Sequence, residues 1–224
     1  MTREQVRARV REVGIVPVIR AASAKKALAA ADAVAAGGIT ILEVTMTVPG
    51  ALDAIRQLVK NLGNEVLVGA GTVLDADAAR QCFEAGAEFL VTPGFDLATV
   101  KAANDAGKVI MAGALTPTEV IAAWKGGADF VKIFPASAVG GASYLKSLRG
   151  PLPQIPLVPT GGVNLNTAAD FIRAGAAALG VGGELILPAA LNTGDTGQIT
   201  ELAKKYLAIV RQTREAEKPA LTAV

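Results

Sequence analysis

The stretch "ITILEVTMTVPGALDAIRQLVKNLGNEVLVGAG", Ile39 to Gly71, holds two β-rich runs separated by a helical one. Ile39–Met46 and Val66–Gly71 are dense in the β-branched residues that favour strands, and Pro49–Leu62 between them reads as a helix. A strand, a helix and a second strand in so short a span form a βαβ unit, whose two strands run parallel.

The same alternation continues in both directions. Strands are expected at Val16–Arg20, Phe89–Thr92, Val109–Gly113, Phe130–Phe134, Leu157–Thr160 and Ala178–Val181, with helices such as Ala24–Ala36 and Asp75–Ala85 between them. Ser23 suits a helix cap, Pro49 a first helical turn, and Gly37, Gly86 and Gly107 follow helix ends. Eight strand-helix units in 224 residues favour a single-domain (β/α)8 TIM barrel over a flavodoxin-like open sheet. An N-terminal helix within residues 1–15, amphipathic over Arg3–Glu12, is expected to cap the barrel bottom, and the charged segment 214–224 is expected to be a flexible tail.

Composition narrows the function. With 51% hydrophobic and 19% charged residues the chain is too apolar for disorder, and with 4% aromatics its core must be aliphatic. A net charge of +2 without a basic block argues against nucleic acid. No apolar run reaches membrane-spanning length, and Met1–Val13 lacks the apolar core of a secretory signal, so a cytoplasmic location is expected. Cys82, the one cysteine, reads as a small buried hydrophobe. The absence of histidine removes imidazole-based catalysis and the usual imidazole metal sites, leaving lysine, carboxylates, hydroxyls and backbone amides.

Ligands of a barrel meet the C-terminal ends of its strands. In "FVKIFP", Phe130–Pro135, side-chain alternation puts Phe130, Lys132 and Phe134 on one face and the β-branched Val131 and Ile133 on the other, against the helices. Lys132 then points into the barrel, where desolvation lowers its pKa towards that of a neutral nucleophile. The same parity turns Glu43, Thr45 and Thr47 inward on the second strand. Alternate strands share interior layers, so Glu43 and Lys132 can face each other as the carboxylate and amine that imine chemistry needs. The competing readings are a buried ion pair, which is a weak source of stability, and side chains that each snorkel to the barrel mouth. "PTGG" (Pro159–Gly162) and "GVGG" (Gly180–Gly183) follow the seventh and eighth strands, where backbone amides of this fold commonly hold phosphate; glycine pairs are also ordinary turns. Thr72 and Thr160 are hydroxyls at strand ends.

"GGITILEVTMT", "VGAGTV", "VTPG", "FVKIFPA" and "VPTGGV", in this order, resemble the class I 2-keto-3-deoxy-6-phosphogluconate (KDPG) and 4-hydroxy-2-oxoglutarate aldolases from about Val16 to Gly183. The resemblance implies a trimeric barrel enzyme, without metal or other cofactor, that reversibly splits a 2-keto-4-hydroxy acid into pyruvate and an aldehyde. It makes Lys132 the Schiff-base lysine and Glu43 the acid/base. It sets Thr72 and Pro93 around the pyruvyl group and Phe134 beside the lysine, and makes Gly161, Gly162, Gly182 and Gly183 the phosphate loops. Thr160, at the end of the seventh strand, joins the substrate-binding set.

Two positions depart from that pattern. Thr47 stands where many relatives have an arginine that holds the substrate carboxylate; Arg20, at the end of the first strand, is the nearest cation to replace it. Glu184 stands where relatives often have a small residue beside the phosphate, and its charge would repel a dianion. The alternatives are an unphosphorylated substrate such as 4-hydroxy-2-oxoglutarate, another phosphate-binding barrel enzyme, or an aldolase-derived assembly scaffold, to which a mean hydropathy of +0.42 is also suited.

Overall fold

The computed structural model describes residues 1–63 and 65–217. Its eight strands are β1 (Ile15–Ile19), β2 (Ile41–Thr45), β3 (Leu67–Gly71), β4 (Phe89–Val91), β5 (Val109–Ala114), β6 (Phe130–Ile133), β7 (Leu157–Pro159) and β8 (Leu179–Val181). Neighbours in sequence pair in parallel around a sheet that β8 continues beside β1. One bridge, between Thr160 and Gly180, closes the last seam. The expected (β/α)8 barrel is the observed fold.

The helices wrap the outside in chain order. After α1 (Arg3–Val13) come α2 (Ala24–Ala36), α3 (Ala51–Leu62), α4 (Ala76–Glu84), α5 (Leu97–Asp105), α6 (Pro117–Lys125), α7 (Gly141–Arg149), α8 (Ala168–Arg173), α9 (Pro188–Thr193) and α10 (Gly197–Ala216). Local signals explain most starts: Ser23, Asp75 and Asp96 each accept the amide three residues on, and Thr116 with Glu119 forms a capping box. Pro49 does not begin a helix as its residue type suggests. The chain turns at Gly50, φ +73°, and α3 starts at Ala51.

Every residue of β1, β2 and β3 is buried, because helices cover one face of the strands and the barrel's own filling covers the other. The lower lumen is aromatic. Phe89 and Phe130 open β4 and β6, and the Phe89 ring occupies the space a side chain at Gly69 would need. Two residues further along β6, Lys132 lies in the layer above Phe130, and Glu43 lies likewise above Ile41 on β2.

The floor is α1, whose Arg11 guanidinium sits 5.2 Å from the centre of the Phe130 ring. Asp129, just before β6, accepts from Arg3 Nε at 2.8 Å, from Arg3 Nη2 at 3.0 Å and from the Ile110 amide at 2.9 Å. This clamps the cap to the sheet. The segment from Arg214 is not wholly a tail: Arg214 belongs to α10 and donates to the carbonyls of Arg11, Glu12 and Ala177. Residues 218–224 of that expected tail lie outside the described residues.

Replacing Asp129 by alanine strands both the Ile110 amide and the Arg3 fork. Because Arg3 is partly exposed, the expected loss is about 2 kcal/mol rather than the larger cost of a fully buried pair. A lowered urea midpoint with an unchanged denaturant slope would show it, and an unchanged midpoint would mean that water screens the clamp.

Candidate active site

β2 and β6 stand opposite each other in the barrel, with β3, β4 and β5 between them on one side and β7, β8 and β1 on the other. Glu43 and Lys132 therefore project into the upper lumen from opposite walls, 1% and 6% exposed. They do not form an ion pair within 4.0 Å, and Glu43 Oε1 is buried without a hydrogen-bond partner. The simple salt-bridge reading of these two residues therefore fails on geometry.

Burial pushes the Glu43 carboxyl well above its ordinary range; the charges of Lys132 and Arg20 offset only part of that. The Lys132 ammonium is pushed down chiefly by burial, with Glu43 opposing the shift and Arg20 adding to it. Both shifts run towards the uncharged forms, an amine that can act as a nucleophile and a carboxyl that can act as an acid.

Small residues make the room. A side chain at Gly71 would collide with the Glu43 carboxylate, and one at Gly113, paired with Lys132, would collide with the Pro93–Gly94 backbone. Thr92 holds that backbone in place: its hydroxyl donates to the Gly94 carbonyl at 2.6 Å and accepts from the Gly113 amide at 3.0 Å. Thr72, at the end of β3, has φ +55° and is the one non-glycine residue with positive φ among those described, a strained conformation of a kind that concentrates at functional sites.

A cavity of about 530 Å³ opens beside this layer over the ends of β1, β7 and β8. Arg20, Phe134, Thr160 and the paired glycines 161, 162, 182 and 183 line it, together with Glu184. The Phe134 ring joins the two parts of the site, since Lys132 Nζ lies 4.9 Å from its centre. Gly161 and Gly162 have φ of +89° and +76°, and a side chain at Gly182 or Gly183 would meet open space. Among the described residues the amides of Gly162, Val163, Gly183 and Glu184 have no acceptor, so two loops present donors at one cavity wall.

Thr47 sits at the rim of the barrel, beyond the regular part of its strand. It is exposed and outside the cavity lining, with its hydroxyl 2.8 Å from that of Thr45. Thr72 and Pro93 sit half-buried at the ends of β3 and β4, outside the cavity lining and nearer the Glu43–Lys132 layer. Reading strand ends missed Lys26 and Asn192, which come from α2 and α9 and also line the cavity. No group of three or more His, Cys, Asp or Glu side chains is placed to hold a metal ion among the described residues, and none of their helices is long and apolar enough to cross a membrane.

The model of the KDPG and KHG aldolase family matches residues 6–202. The chain belongs to that family. The 2-dehydro-3-deoxy-phosphogluconate aldolase of Pseudomonas aeruginosa is 39% identical over 209 residues, 91% of this chain and 94% of that relative. The KHG/KDPG aldolase of Escherichia coli K12 is 38% identical over 192 residues, 85% of this chain and 89% of its own. Among solved structures, KDPG aldolase from Legionella pneumophila, with pyruvate captured as a covalent carbinolamine intermediate, matches at a TM-score of 0.82 and 31% identity. That match covers 88% of this chain and 96% of the Legionella one. Members of the aldolase family thus share this barrel over nearly its whole length.

The raised Glu43 carboxyl has a consequence for stability. A carboxyl whose folded pKa exceeds its unfolded value binds protons more tightly when folded, so its contribution is complete below the ordinary value of 4.5 and is lost as pH rises through the folded value. Glu43→Gln lacks this loss. Its stability relative to wild type is expected to grow from pH 4.5 towards neutrality in urea titrations, whereas a difference constant with pH would mean that Glu43 ionises freely in the barrel.

Proposed function

We propose that the chain is a class I aldolase, a lyase that reversibly cleaves 2-keto-3-deoxy-6-phosphogluconate to pyruvate and glyceraldehyde 3-phosphate. One observation carries the reading: a buried amine and a buried, unpaired carboxyl face each other across the lumen. Family membership and the covalent pyruvate adduct described for the Legionella enzyme support it.

The chemistry follows from the electronics. Neutral Lys132 Nζ adds to the C2 carbonyl, forming a C–N bond and a carbinolamine, and the raised Glu43 carboxyl gives the proton with which water departs. The resulting iminium is an electron sink. Glu43, now a carboxylate, takes the C4 hydroxyl proton; the C3–C4 bond breaks, its electron pair passes into the C2–C3 enamine, and the aldehyde leaves. Protonation of C3 followed by hydrolysis of the imine releases pyruvate and regenerates the amine.

Around that centre, Thr72 and Pro93 border the pyruvyl group, Phe134 packs beside the imine, and Thr160 lies under the rest of the substrate. The amides of the 161–162 and 182–183 loops take the phosphate. Arg20 takes the substrate carboxylate in place of the family arginine absent at Thr47. Two observations support this: Arg20 lines the cavity within electrostatic reach of both Lys132 and Glu43, and it pairs with no carboxylate among the described residues. The working form is a homotrimer, a reading supported by Leu74, Leu97 and Ile121, large apolar side chains left exposed on the chain.

Incubation with pyruvate and borohydride, followed by peptide mapping, is expected to give one reduced adduct on Lys132 that disappears in Lys132→Ala; a folded wild type that takes no label would end the aldolase reading. Arg20→Ala should weaken pyruvate binding about tenfold, the scale of one charge-assisted hydrogen bond. Unchanged affinity would remove Arg20 from the site. Light scattering should return the mass of three chains, and a monomer would contradict the assembly.

A further inference from the structure

Lys25 and Lys26 occupy the first turn of α2, which, like those of α5, α7, α9 and α10, contains no acidic residue. The positive end of a helix dipole disfavours cations, so local helix stability gives no reason for this choice. Tertiary structure gives one for Lys26. Its Nζ donates to Asn192 Oδ1 on α9 at 2.6 Å, and both residues line the cavity. The partner is neutral, so the bond holds the side chain in place without a countercharge and leaves two further donor hydrogens. No carboxylate lies within 4.0 Å of it among the described residues.

Three charged side chains line the cavity: Arg20, Lys26 and Glu184. Arg20 acts electrostatically on both Glu43 and Lys132, whereas Lys26 is bonded to Asn192 and lines the same cavity as the glycine loops. Glu184 in that lining would repel a dianion, and a pinned ammonium in the same cavity offsets the repulsion.

We propose that Lys26, held by Asn192, contacts the terminal phosphate of the substrate and sets the preference for phosphorylated over unphosphorylated 2-keto-3-deoxy sugar acids. The inference rests on the aldolase reading above. In this arrangement the loop amides of the seventh and eighth strands give the phosphate its hydrogen bonds, and Lys26 supplies the balancing charge from the cavity lining. Asn192 keeps the flexible lysine stem extended over the cavity, so less conformational entropy is lost when substrate binds.

The test is the Lys26→Met variant, which keeps the length of the stem and removes the charge, measured with 2-keto-3-deoxy-6-phosphogluconate and with 2-keto-3-deoxygluconate. The ratio of kcat/KM for the phosphorylated over the unphosphorylated acid is expected to fall about tenfold, mainly through KM, as for one lost charge-assisted contact. An unchanged ratio overturns the proposal, whether the two activities are both intact or reduced in parallel. Pyruvate and borohydride labelling of Lys132 in the same preparation separates the failures: labelling with an unchanged ratio refutes the role of Lys26 alone, and no labelling in variant and wild type refutes the aldolase reading beneath it.

Discussion

Lys132 and Glu43 share the upper lumen without touching, and each is kept from water by walls of aliphatic strands. An ion pair would have let both stay charged inside the barrel. Held apart, each lowers the cost of burial by moving towards its uncharged form, which makes the amine a nucleophile and the carboxyl an acid. The separation that denies them a salt bridge is also the space in which a substrate carbon can sit between them.

That separation requires a rigid frame. The frame comes from below: the rings of Phe89 and Phe130 fill the lower lumen, and α1 is clamped beneath them by Arg3 and Asp129. Glycines act from the sides, because Gly71 and Gly113 leave the room that the Glu43 carboxylate and the Pro93–Gly94 backbone occupy. The upper lumen is thus an opening left in an otherwise close-packed core, with the polar groups at its rim tied by bonds such as that from the Gly113 amide to Thr92.

The cavity beside it has a different construction. Its floor is backbone, with two glycine loops presenting amides, and its rim is charged side chains from three separate segments: Arg20 after β1, Lys26 on α2 and Glu184 after β8. In the proposed function, covalent chemistry and the recognition of a distant anionic group fall to different parts of the barrel. The Phe134 ring, 4.9 Å from Lys132 Nζ and itself lining the cavity, is the contact between the two.

Periodicity alone determined the eight strands, their parallel order and the inward direction of Lys132 and Glu43, because a strand's side chains alternate strictly and a misplaced lysine in an apolar run stands out. Motif order was enough to indicate the aldolase family. Residue type failed at Pro49, where a left-handed glycine intervenes and the helix starts at Ala51. Nor did the charge of the C-terminal segment reveal that Arg214 would be anchored to the carbonyls of α1 and Ala177. Only the tertiary structure decided that Lys132 and Glu43 stay unpaired and that Lys26 meets Asn192, a residue 166 positions away. Those distances depend on how a closed barrel brings remote helices to one mouth, and no local pattern encodes the separation of two side chains across a lumen.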